Sequence, residues 1–148
     1  MNIKEAIIDT LINLLPMYGM SAEYQGESEV NYLVSANQVN IVIGITSGLK
    51  GNIVVGLRKT TALRIASAMI GDMTVTEFDA LTKSAVGELG NMLIGYTVGK
   101  LSADTAIEFS PPTIAIGERM FAVISKVKSY KLTFKLNDEI FNVSYCLE

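Results

Sequence analysis

The sequence predicts an α+β fold, with helices packed on one face of a mostly antiparallel β-sheet. Three observations predict it. Apolar residues recur at helical spacing near the N-terminus and again between about 60 and 101. Two apolar runs flank a glycine-bearing turn between 39 and 57. The last third of the chain alternates apolar with polar side chains, the period-2 signature of half-buried strands. Helix, hairpin, two helices and then a group of strands is the order of an α+β domain.

The elements follow in order. Ile3, Ile7, Leu11, Leu14 and Leu15 set a helix over 3–18 that Pro16 and Gly19 bring to an end. Residues 21–38 are polar and weakly patterned, and they leave strand and loop both open. Val39–Ile45 and Asn52–Leu57 read as the strands of a hairpin, with Gly48-Leu49-Lys50-Gly51 as a four-residue loop. A helix begins near Thr60 or Thr61 and closes at Gly71, with Leu63, Ile65, Ala66, Met69 and Ile70 for its buried side. Thr74-x-x-Glu77 has the form of a capping box, which starts the next helix there and runs it to about Leu101. Strands are then expected at 105–109, before Pro111-Pro112, and at 113–116, 120–128 and 130–136. After an Asn137-Asp138 turn, a last strand covers 139–147.

The chain has 148 residues. That fits one domain over 1–148, since domains commonly run ~100–150 residues. With 49% hydrophobic and 18% charged residues and a mean hydropathy of +0.36, it is apolar for a monomer, and a homodimer is expected. No apolar run approaches the ~20 residues that span a bilayer. No secretory leader is legible in Met1–Glu5, so no membrane association and a cytoplasmic location are expected. A net charge of −3 without a basic cluster argues against nucleic acid as partner. Lys126, Lys128, Lys131 and Lys135 read as an ordinary solvated face. With no histidine and one cysteine, His/Cys zinc sites, Ser-His-Asp triads, phosphohistidine chemistry and disulfide frameworks are excluded by supply. Cys146 reads as packing. Any catalysis must use carboxylates, amides and hydroxyls.

The long helix carries the candidate site. On a wheel of ~100° per residue, Ala85, Val86, Leu89, Met92, Leu93 and Tyr96 gather on a core side. Ser84, Glu88, Asn91 and Gly95 gather opposite, with Glu77 further up. Gly87, Gly90 and Gly95 flank this polar face, although each helical glycine costs about 0.5–1 kcal/mol relative to alanine. No charged residue follows Glu88 until Lys100, which is unusual for a solvated face. Both features suit a face that meets a partner, and both also suit close packing of two helices within one domain.

Ser84-x-x-x-Glu88-x-x-Asn91, followed about twenty residues later by Pro111-Pro112, resembles the signature of the CheC/CheX family of chemotaxis phosphatases. The hairpin GITSGLKGNIVVGL, the segment IASAMIGDM and the segment TKSAVGELGNMLIG are similar to CheX, and the likeness covers roughly 39–118. CheC-like members carry two ExxN helices. Here the first helix offers only Asp9-x-x-x-Asn13, so one site per chain is expected, in the dimeric CheX manner.

The resemblance implies a phosphatase acting on the aspartyl phosphate of a CheY-like response-regulator receiver domain. The receiver would supply the Mg²⁺, and the chain would hold no metal or cofactor of its own. Asn91 would orient the attacking water, as a glutamine does in GTPases. Glu88 would pair with the receiver's lysine and fix the docking register, completing the catalytic pair. Ser84, Gly87 and Gly95 would support or admit the partner. A non-catalytic module that binds a phosphorylated receiver or a flagellar switch component is the alternative, and a structural dimer with a vestigial ExxN is a third.

Overall fold

The computed structural model describes residues 1–71, 74–101 and 106–148. α1 (Ile3–Leu14) opens on a capping box in which the Asn2 side chain accepts from the Glu5 N–H at 2.8 Å and Glu5 reaches back to Asn2. A 3-10 turn over Leu15–Tyr18, holding Pro16, ends at Gly19. The undecided 21–38 stretch contains two strands, β1 (Ala22–Val30) and β2 (Leu33–Ser35). β3 (Val39–Ser47) and β4 (Gly51–Leu57) form the expected hairpin, with a three-residue rather than four-residue connection.

α2 (Lys59–Met69) follows, and α3 (Ala80–Lys100) is the long helix. The short strands β5 (Glu108–Phe109), β6 (Thr113–Ile116) and β7 (Ala122–Ser125) lead to the closing hairpin of β8 (Ser129–Leu136) and β9 (Glu139–Leu147). The expected strand at 105–109 keeps only its last two residues, and Thr105 lies outside the described residues.

The main sheet runs β1-β8-β9-β4-β3, with β5 and β6 both pairing with β3, and every pairing is antiparallel. Period-2 alternation sorts its side chains. Ile41, Ile43, Ile53, Val55, Leu132, Phe134 and Val143 form one core with the buried faces of the three helices. Val54 and Cys146 point the other way and pack under Leu33 of β2. The helices thus occupy one face, as the sequence predicts, while the separate β2–β7 pair covers part of the other. Among the described residues no helix is long and apolar enough to cross a membrane.

Candidate functional site

Everything proposed for the site depends on how α3 starts and how it is rotated. Its start is five residues later than the Thr74 box would place it. Asp79 is the N-cap, accepting from the Thr82 N–H at 2.9 Å, and the buried Thr82 hydroxyl bonds both that carboxylate and the Glu77 carbonyl oxygen. The Thr82 backbone hydrogen bond is the main reason the Asp79 carboxyl is held below its ordinary range. Glu77 therefore precedes the helix and is not part of its polar stripe.

Rotation is set by packing. Thr82, Val86, Leu89, Gly90, Leu93, Ile94 and Thr97 are buried. The wheel places Val86, Leu89 and Leu93 on this face and the half-buried Ala85 and Met92 at its edge. It misses Thr82, Gly90, Ile94 and Thr97 and misplaces Tyr96, which is 50% exposed near the helix end. Gly90 is the contact point with the sheet. A Cβ there would stand 2.7 Å from Ile41 Cγ2 on β3 and 3.2 Å from Pro112 Cγ. Pro112 and Ile114 run along the flank of the helix, with Ile114 Cδ1 at 3.6 Å from where a Gly87 Cβ would be. Pro112 thus supports the turn that joins Glu88 to Asn91.

On the opposite side of α3, Ser84, Glu88, Asn91 and Gly95 are all exposed. Residues three apart on a helix hold their Cβ atoms about 5–6 Å from each other, so Glu88 and Asn91 present adjacent head groups. Among the described residues neither side chain is engaged in a hydrogen bond or ion pair. Gly95 has open space where a Cβ would be, while Gly87 is half-buried. Lys100, the next charge along the helix, is turned aside and pairs with Asp9 of α1 at 3.2 Å. Leu81 also belongs to this stripe, 54% exposed one turn before Ser84. Its wheel angle, close to that of Glu88, marks it in the sequence.

The arrangement is a ridge rather than a pocket. A cleft of about 670 Å³ opens between the 3-10 turn and α2, along Thr60, Arg64 and Ser67, and takes in none of Ser84, Glu88 or Asn91. Among the described residues no group of three or more His, Cys, Asp or Glu side chains is placed to hold a metal ion. The Asp9–Asn13 pair on α1 is closed on itself, since the Asn13 amide donates to the Asp9 carbonyl at 2.7 Å and to its carboxylate at 3.2 Å. A projecting carboxylate and carboxamide can enter another molecule's site. They can dock and hold a water there.

Comparison with known proteins bears on what such a ridge meets. Residues 39–135 match the family model of the chemotaxis phosphatase CheX. The chain is 31% identical over 138 residues to the CheY-P phosphatase CheX of Thermotoga maritima, covering 93% of this chain and 84% of that one. A chemotaxis protein CheX from Desulfovibrio desulfuricans superposes with a TM-score of 0.86 at 27% identity, over 100% of both chains. The Borrelia burgdorferi CheX, solved as a CheX-CheY-BeF3-Mg²⁺ complex, has the same fold with a TM-score of 0.75 at 22% identity, over 99% of this chain and 95% of that one. With most of its length matched by the family model and by a curated relative, this chain belongs to the CheX family of chemotaxis phosphatases.

Proposed function

We propose that the chain accelerates hydrolysis of the aspartyl phosphate on a CheY-like receiver domain, with a water held by Asn91 as the nucleophile. The observation that carries this reading is the exposed, unengaged Glu88–Asn91 pair on a ridge of α3. An acyl phosphate is already activated, so a helper protein need add only positioning and electrostatics. One amide can do that, with its oxygen accepting from the water and its N–H₂ donating.

In the step itself the water oxygen bonds to phosphorus as the bond between phosphorus and the aspartyl oxygen breaks. Inorganic phosphate and the receiver carboxylate are the products, and the water's proton leaves with phosphate or solvent. Mg²⁺ belongs to the receiver in this scheme, and Glu88 docks against a receiver lysine. The Thermotoga relative's activity and the magnesium-containing Borrelia complex both support this division of labour. A homodimer acting in the cytoplasm completes the reading.

The test mixes the full chain with phosphorylated receivers from the same genome and Mg²⁺ and follows phosphate release. Acceleration by wild type that falls about 100-fold or more in Asn91→Ala is expected, the usual scale for losing one positioned transition-state contact. Receiver binding without acceleration would make the chain a non-catalytic module. No binding and no acceleration with any receiver would leave the ExxN pair vestigial.

A further inference from the structure

The side of the sheet away from the helices holds a cleft of about 220 Å³, where β2 and the segments on either side of it overhang β4, β8 and β9. Its polar lining is Lys131, Asn142 and Ser144 from the sheet and Tyr32 and Asn37 from the overhang, while valines of β1, β2 and β4 form the walls. No carboxylate lines it.

Lys131 is the unusual member. Three half-buried lysines are present among the described residues. Lys4 pairs with Glu27 at 3.6 Å and Lys100 with Asp9 at 3.2 Å. Lys131 has no ion pair among the described residues, and its cross-strand neighbours are the neutral Ser28 and Ser144. The nearby Lys128 is satisfied by Glu29 at 3.1 Å. A half-buried lysine that faces only neutral groups has an unpaired charge, which an anion would complete through charge-assisted hydrogen bonds.

The two amides favour the same ligand. Asn142 Oδ1 is occupied by the Thr133 hydroxyl at 3.2 Å, which leaves its N–H₂ to donate. Asn37 lies against Gly56, where any Cβ would fall within 2.1 Å of Asn37 Nδ2, so the glycine makes room for that amide at the cleft. A lysine, two asparagines, a serine and a tyrosine thus line one cleft between apolar walls.

We propose that this cleft binds a small organic anion, a carboxylate or a phosphate monoester, through Lys131, Asn37 and Asn142. The site is separate from the α3 ridge and stands whether or not the phosphatase reading does.

The test is a ¹⁵N–¹H NMR titration of the full chain with succinate and, separately, with inorganic phosphate, each at constant ionic strength. Saturable shifts of the Asn37 and Asn142 side-chain amides with either anion are expected. Binding should weaken roughly tenfold or more in Lys131→Met, which keeps the apolar stem and removes the charge. A matched melting temperature without ligand shows that this variant is folded, and Asn91→Ala should respond like wild type. Shifts that never saturate with either anion, that centre on other residues, or that survive Lys131→Met unchanged overturn the proposal.

Discussion

At the residue scale, Glu88 and Asn91 are asked to do different things, and steady-state kinetics separates them. Asn91 acts only once water and phosphoryl group are aligned, so Asn91→Ala should lower kcat and leave KM nearly unchanged. Glu88 contributes to docking in ground and transition state alike, so Glu88→Ala should raise KM roughly tenfold or more with kcat largely kept. The reverse pattern would exchange the two roles. The glycines divide in the same way. Gly90→Ala gains helix propensity worth up to about 1 kcal/mol. It also drives a methyl into buried Ile41 and Pro112, and overpacking of about 1–3 kcal/mol outweighs that gain. Gly95→Ala meets open space, so it should raise stability in denaturant unfolding by up to about 1 kcal/mol. If Gly95 admits the receiver, the same variant is more stable and a poorer phosphatase. Full activity in stabilised Gly95→Ala would remove Gly95 from the partner surface.

At the element scale, the N-terminus of α3 is the point on which the ridge turns. Asp79→Ala removes the cap and should lower the melting temperature by a few degrees. The Asp79 pKa is depressed in the folded state, so its stabilisation is complete above the unfolded value near 3.8 and fades as pH falls through the folded one. The gap between wild type and Asp79→Ala should therefore close in acid, below about pH 4, and a gap that persists there would point to lost packing instead. This start was the least legible part of the site. Thr74 and Glu77 have capping-box spacing, but Asp79 and Thr82 form the actual cap, and nothing in periodicity ranks one polar residue above another five positions away. The strands divide on similar grounds. β3, β4, β8 and β9 each bury one face or both, so their patterns are strong. β1 is an edge strand that buries only Ala22 fully, and it is broken by a bulge near Gly26 at φ +144°, a backbone geometry that side chains rarely adopt. Its alternation is too weak to read. The Glu88–Asn91 face was legible because helical geometry alone sets it, whereas the support from Pro112 and Ile114 is a long-range contact that no local pattern encodes.

At the scale of the whole molecule, one sheet separates two surfaces. The helical side presents the ridge, and the other side presents the small β2–β7 layer and the Lys131 cleft. Neither accounts for the chain's apolar excess. Part of that excess lies in one stretch, where Ile116 ends β6, Phe121 is 72% exposed, and Val123 projects from β7. Among the described residues β6 and β7 each pair on one side only, so backbone N–H and C=O groups are unpaired beside these side chains. An apolar strip next to open strand edges is what a second copy can cover, by edge pairing or by side-chain packing. None of the three residues lies on α3, so a dimer made through them does not use the ridge's own side chains. Light scattering at micromolar concentration should then return twice the chain's 16.0 kDa, and Phe121→Asp should shift the population toward that single mass. A wild-type monomer under those conditions rules the dimer out, and a dimer untouched by Phe121→Asp moves its interface elsewhere.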